Sequence, residues 1–213
     1  MLSTPEYRRG AVQGFLRGPF VIGTIAPMRR LAACISLVLL ALAPAFSAQR
    51  PDGNSLGPFV ATPEDIVEKM LEFARVGPSD VVYDLGCGDG RIVITAARKY
   101  GAHGVGVDLD PKRIAESRAN ARNAGVESLV TFVLQDAMTV DVSPATVVTL
   151  YLVATSNLRL RPILTKQLAP GSRIVSHNFG MGNWEPDEVL NLKDSRGTTR
   201  TLYLWRADGK VRD

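Results

Sequence analysis

Seven residues, Asp84-Leu85-Gly86-Cys87-Gly88-Asp89-Gly90, constrain this chain more than any other stretch. The apolar run Val81-Val82-Tyr83 before them reads as a buried strand, and the run from Arg91 to Lys99 after them reads as a helix. A strand, a tight glycine turn and a helix together make a ligand cradle. Glycine takes positive φ freely and lets a ligand approach the backbone without meeting a Cβ. The start of the helix adds N–H groups that have no partner within the helix.

The spacing narrows the ligand. A dinucleotide fingerprint needs G-x-G-x-x-G, which seats pyrophosphate on the helix N-terminus. Here Gly90 comes one residue early, and Arg91 stands where that glycine should be. A Walker loop would close with a lysine followed by serine or threonine, and none is present. Asp84, two positions before G-x-G-x-G, suits a cationic ligand that carries an amino group, such as S-adenosylmethionine (SAM). The segment resembles motif I of the class I, seven-β-strand SAM-dependent methyltransferases. A purely structural glycine turn is the competing reading; the flanking strand, the helix and Asp84 weigh against it.

Length allows one domain plus a short appendage. The formal net charge of +4 is unevenly placed. Residues 1–50 hold six arginines against one glutamate, whereas residues 51–213 hold nineteen Lys and Arg against twenty Asp and Glu. A domain so close to neutrality lacks the basic footprint of a nucleic-acid binder, and no nucleic-acid partner is expected. The two cysteines are Cys34 and Cys87. Removal of the first with a leader would leave no internal disulfide. No Cys/His cluster has metal-ligand spacing, so no metal is expected.

The leader reads as follows. Met28-Arg29-Arg30 precedes an uncharged, mostly apolar run of twelve residues from Leu31 to Leu42, and then Ala43-Pro44-Ala45-Phe46-Ser47-Ala48. These are the basic, apolar and small-residue parts of a signal peptide. Ala45 and Ser47 fit positions −3 and −1, which puts cleavage after Ser47. An uncleaved anchor is the alternative, although twelve residues are short for a bilayer span. A signal peptide begins at its own methionine, so residues 1–27 read as an upstream extension and Met28 as the true start. The expected divisions are therefore 1–27, a signal peptide or anchor over 28–47, a linker and lead-in loop over 48–61, and a domain over 62–206. The protein is expected to be exported to the periplasm or membrane-associated, with membrane proximity through this segment. It would be cytosolic if the leader is misread.

Beyond the linker, Thr62 is placed to cap a helix, with Pro63 at its first position and Asp65 completing a capping box. Ile66, Val67, Met70, Leu71 and Ala74 then share one face at helical spacing. Strands are expected near 80–85, 103–108, 129–134, 145–152 and 172–178, and helices near 91–100, 111–124 and 156–168. Gly101 and Gly125 stand at C-terminal caps. Pro162 is expected to divide the last helical stretch. Apolar strands alternating with helices imply a parallel sheet covered on both faces. Residues 187–192 and 199–205, joined by the turn Asp194-Ser195-Arg196-Gly197, read as an antiparallel closing pair. Such a pair closes the sheet of the methyltransferases that motif I resembles, and that resemblance implies the expected fold: α/β and Rossmann-like, a doubly wound seven-stranded sheet, order 3-2-1-4-5-7-6, with strand 7 antiparallel.

Ligands of open α/β sheets bind outside the carboxyl ends of the strands. The cofactor candidates are thus Asp84, Gly86, Cys87, Gly88 and Gly90. Asp108 joins them as acceptor for ribose hydroxyls, and Asp136 and Ala137 for the adenine amino group and ring nitrogen. Phe59 and Thr62 come from the lead-in loop. Asp110 is better read as a helix cap. The acceptor-side candidates are Tyr151, His177, Asn178 and Trp184. The fourth strand ends in Tyr151-Leu152-Val153, not in the Asp/Asn-Pro-Pro-aromatic signature of DNA-adenine enzymes, which argues against base methylation. His177 can accept a proton or position an acceptor, or it can be a hydrogen-bonded histidine on the rim.

Four segments together carry a closer resemblance. They are Pro58-Phe59-Val60-Ala61-Thr62-Pro63, the glycine loop with Arg91, Leu150-Tyr151-Leu152, and Ser176-His177-Asn178-Phe179 followed by Trp184-Glu185-Pro186. Over residues 58–206 the chain resembles the mitochondrial protein-lysine methyltransferases that act on the c subunit of ATP synthase and on the adenine nucleotide translocase, and their bacterial relatives. The resemblance implies SAM as donor, a lysine amine as acceptor and a protein substrate. A methyltransferase of small molecules or lipids, or a SAM-binding module without turnover, are the alternatives.

Overall fold

The computed structural model describes residues 60–213. The upstream extension, the leader, most of the linker and Phe59 lie outside the described residues. The described chain runs α1 (Glu64–Phe73), β1 (Val81–Leu85), α2 (Arg91–Tyr100), β2 (His103–Asp108), α3 (Pro111–Asn123), β3 (Val130–Leu134), β4 (Val147–Leu150), α4 (Ala154–Gln167), β5 (Arg173–His177), β6 (Glu188–Lys193) and β7 (Thr199–Arg206). The strands form one sheet in the order β3-β2-β1-β4-β5-β7-β6. The first five are parallel, and β7 runs antiparallel to both β5 and β6. This is the sheet expected from the sequence. Its strand order reverses between β1 and β4, where such folds open a ligand crevice.

Side-chain alternation sorts the central strands onto two faces. Val82, Val147 and Val175 pack with Ile66 and Met70 of α1, Val93 of α2 and Ile114 of α3. Leu85, Leu150, Ile174 and Trp205 pack instead with Leu160 and Leu164 of α4. Both faces being covered explains the apolar runs of β1, β4 and β5. The edge strand β6 alternates between half-buried and exposed residues, as an uncovered edge should.

Two helices depart from expectation. Pro63, not Thr62, is the N-cap of α1, and no side chain caps the helix. Ile66 and Val67 donate to the Pro63 carbonyl. Asp65 completes no capping box; its carboxylate accepts from the Ser195 N–H at 2.5 Å and fastens the β6–β7 turn to α1. The second departure is Pro162, which lies inside an unbroken α4. An internal proline costs a helix about 3 kcal/mol. Burial of Asn157, Leu160, Arg161 and Leu164 against the sheet outweighs that cost.

The end of the sheet opposite the glycine loop is held by one polar knot. Asp80 pairs with the Arg173 guanidinium and accepts from the Thr146 hydroxyl at 2.6 Å and the Gly77 N–H at 2.8 Å. Arg173 also donates to the Ala74 carbonyl at 2.7 Å. The knot thus joins the end of α1 to the starts of β1, β4 and β5. Asp80 is buried, and removing one partner of such a group leaves the other uncompensated. Asp80→Ala is expected to lower unfolding free energy by about 2–4 kcal/mol, read from urea denaturation.

Candidate functional site

The glycine loop is fastened to β2 by its own amides. Gly86 and Cys87 both donate to the Val107 carbonyl, at 2.8 and 3.0 Å. The Gly88 N–H donates to the Asp108 carboxylate at 2.9 Å, and the other Asp108 oxygen accepts from Asp110 N–H at 2.9 Å. Gly90 N–H reaches the Cys87 carbonyl, and Arg91 N–H reaches Asp89. These amides are spent on the loop's shape, and of the helix-start amides that of Arg91 is engaged in the same way. A phosphate cradle needs such amides unpaired.

The glycines divide the labour. Gly86, at φ +83°, is exposed, so a ligand can lie against its backbone. Gly88, at φ +54°, is buried. Gly90, at φ +81°, is buried too; a Cβ there would stand 2.7 Å from the Phe132 ring. Gly90 thus lets α2 start close to the sheet and offers no ligand surface. Cys87 contributes backbone only: its side chain is buried, and a Cβ on Gly106 would come within 2.8 Å of its sulfur. Burial pushes its thiol far above the usual range, so it stays protonated.

Asp84 is 2% exposed, and its carboxylate accepts from the Thr149 hydroxyl at 2.8 Å. No ion pair among the described residues involves it. Burial pushes its pKa up to about 7, the Thr149 bond opposing and the negative charges of Asp108 and Asp89 adding to the rise. A buried carboxylate without a cation is an unfinished electrostatic arrangement. A ligand carrying a sulfonium and an amino group completes it, so the residues present fit SAM. Asp108 retains lone pairs for hydroxyl donors beside its two backbone bonds. Asp136 and Ala137 follow β3 on the same edge; the Asp136 carboxylate accepts from Met138 N–H at 2.9 Å, and Ala137 is buried.

Asp89 takes the other course. It forms a salt bridge with Arg91 at 2.5 Å, and the guanidinium reaches across to the Thr62 carbonyl at 2.8 Å. Thr62 therefore meets the loop through its backbone, pinning the start of α1 beside the cradle. Asn120 adds a bond to the Asp89 carbonyl at 3.0 Å.

Strand register aligns two of the acceptor-side candidates. Leu85 pairs with Leu150 and Leu150 with Ser176, so Gly86, Tyr151 and His177 follow them in one row at the carboxyl edge. Tyr151 stacks on His177 with ring centroids 3.9 Å apart and 28° between planes; Phe179 lies 6.4 Å from Tyr151. His177 is not a hydrogen-bonded rim histidine. It is fully buried, and among the described residues neither ring nitrogen has a partner. Burial first, and then the charge of Arg200, pull its pKa down to about 4 against a smaller opposing effect of Asp194. The ring is neutral. Asn178 sits at φ +65°, and its side-chain oxygen is engaged by Thr201 N–H at 3.0 Å. Trp184 is drawn away from this row. Its carbonyl accepts from the Trp205 indole at 2.9 Å, its ring packs on Trp205, and Arg212 covers it at 4.5 Å. Trp205 pairs with Ile174 near the start of β5, well below the edge, so Trp184 packs the α4 face.

Three residues of the site carry no mark in the sequence that singled them out. Thr149 holds Asp84. Asn157, fully buried in α4, donates to Ser176 Oγ and the Phe179 carbonyl, both at 3.0 Å, and ties down the segment after β5. Arg161 does the same through the Met181 carbonyl and Asn183. Among the described residues no group of three His, Cys, Asp or Glu side chains is placed to hold a metal.

Residues 84–188 match the model of the ANTKMT methyltransferase domain. A protein-lysine N-methyltransferase of Saccharolobus islandicus is 46% identical over 149 residues, which is 70% of this chain and 92% of that one. The chain belongs to this methyltransferase family. The adenine nucleotide translocase lysine N-methyltransferase of Mus musculus is 30% identical over 71% of the chain, and the match spans 62% of that protein. The crystal structure of an RNA methyltransferase from Salinibacter ruber in complex with S-adenosyl-L-homocysteine is 49% identical. It covers 72% of this chain and 97% of its own, at a TM-score of 0.67. The methyltransferase uses SAM as methyl donor.

The Asp84 shift gives a signed expectation for this methyltransferase. Without ligand, Asp84 carries a proton below about pH 7, whereas a cationic ligand favours the ionised form. SAM binding should therefore release a proton, and affinity should weaken as pH falls through about 7. The same shift makes the ligand-free fold lose stability as pH rises from 3.8 to about 7. Calorimetry in buffers of differing ionisation enthalpy checks the proton release. Asp84→Asn should bind SAM more weakly and lose the pH slope; a wild-type profile flat across this range would contradict the assignment.

Proposed function

We propose that the methyltransferase transfers the SAM methyl group to the ε-amine of a lysine in a protein. The observation that carries this reading is the 46% identity, across 92% of its length, to a relative named as a protein-lysine N-methyltransferase. Charge supports it: residues 51–213 hold nineteen basic and twenty acidic side chains, not the basic footprint of an RNA binder. SAM supplies an electrophilic methyl on a sulfonium. The chain's own part is orientation and exclusion of water. Asp84 offers its carboxylate to the positive charge of the donor, and Asp108 its oxygens to hydroxyls. Tyr151 presents an aromatic face beside Gly86. A dry, apolar surround lowers the pKa of an amine, so that it meets the methyl unprotonated.

One observation favours a second reading, an RNA acceptor: the 49%-identical Salinibacter protein is named an RNA methyltransferase. The two are separated by incubating the purified enzyme and labelled SAM with a cell extract, then digesting with protease or ribonuclease. Label is expected in protease-sensitive material and, after hydrolysis, in methylated lysine. Label released by ribonuclease would overturn the lysine reading and favour RNA.

The leader belongs to the same proposal. Met28 to Ser47 is read as a signal or anchor that brings the enzyme to or across a membrane, and it lies outside the described residues. N-terminal sequencing of the native protein should find Ala48 first. A mature N-terminus before Met28 would refute it.

A further inference from the structure

His177 is a costly residue in its position. It is fully buried, and both ring nitrogens lack partners among the described residues. Buried polar groups are normally satisfied, and a phenylalanine there would leave nothing unpaired. The charges behind the ring do not serve it. The Asp194 carboxylate accepts from Arg196 N–H, Thr198 N–H and the Arg200 guanidinium, and Arg200 is engaged in return. With no relay partner and no solvent contact, the imidazole has no route along which to pass a proton.

What the ring does touch is Tyr151. The rings stack at 3.9 Å and 28°. Adjacent strands fix their backbones, because Leu150 and Ser176 are paired neighbours and these two residues follow them. On the far side of His177, Leu202 of β7 is its register partner, so the imidazole is clamped between strands. Tyr151, by contrast, is only half-buried and stands beside the exposed Gly86. An aromatic side chain at a sheet edge has two free torsions, and one flat neighbour can remove that freedom.

We propose that His177 is a positioning residue whose ring holds the Tyr151 ring along the carboxyl edge, and that Tyr151 is the group the methyl acceptor touches. The proposal rests on methyltransferase activity and not on which polymer accepts the methyl group.

The test uses methyl transfer from labelled SAM into a total cell extract, protein and RNA together, at saturating SAM. Four variants are compared: Tyr151→Leu, His177→Leu, the double variant, and His177→Phe. SAM affinity and melting temperature are measured alongside. Residues acting through one another show non-additive losses. His177→Leu and Tyr151→Leu should each lower transfer about tenfold or more, with SAM affinity kept within about twofold, and the double variant should match Tyr151→Leu alone. His177→Phe restores a flat ring without nitrogens and should recover most of the activity. Losses that multiply in the double variant would show that the two residues act separately and overturn the proposal. So would a folded His177→Phe as inactive as His177→Leu, which would assign the work to a ring nitrogen. If His177→Leu does not fold, His177→Phe decides: near-normal transfer sustains the stacking role, and loss with intact SAM binding ends it.

Discussion

The Val107 carbonyl oxygen accepts two backbone N–H groups, from Gly86 and Cys87, and the Asp108 carboxylate accepts a third from Gly88. Through these bonds the end of β2 shapes the turn that leaves β1. The positive φ values at Gly86, Gly88 and Gly90 are the backbone cost of that turn, and glycine meets it without steric penalty. Everything functional stands on this turn. It brings Asp84 beneath Gly86, starts α2 against Phe132, and leaves Asp108 oriented along the edge. Asp108 is therefore both a candidate ligand contact and part of the loop's scaffold.

Charge is arranged in two ways around the turn. Asp89 has a guanidinium partner, and the pair fastens the start of α1 to the loop. Among the described residues Asp84 has only a hydroxyl partner, and burial pushes its pKa up to about 7. The first arrangement is structural and self-contained. The second is complete only with a cation in the crevice, which suits a sulfonium donor. Two aspartates five residues apart thus have different roles because one neighbour is Arg91 and the other is Thr149.

The proposed acceptor side is one row of the sheet. Gly86, Tyr151 and His177 are far apart in the chain and adjacent in the sheet. Behind them, Asn157 and Arg161 hold the segment after β5 from the α4 face. Trp184 leaves this row because its best contacts, Trp205 and Arg212, lie lower on that face. The bond from the Trp205 indole to its carbonyl holds it there.

The sequence alone determined the alternation of strands and helices, the glycine loop and its suitability for a cationic donor, and the resemblance carried by that loop implied the strand order. These depend on residues adjacent in the chain: apolar runs of fixed period, glycines at fixed spacing, and an acid two positions ahead. The Gly101 and Asp110 caps were legible for the same reason, whereas α3 is capped by Ala124 and Gly125 follows it at positive φ. Tertiary structure alone decided which amides stay free, that Thr62 contributes a carbonyl, that α4 runs unbroken through Pro162, and that His177 is dry and unpaired. Each of these depends on partners distant in the chain: Val107 across a strand, Arg91 across a helix, the sheet beneath α4, and Tyr151 on the neighbouring strand. Local pattern fixes which element forms, whereas hydrogen-bond satisfaction and burial are settled by what packs against it.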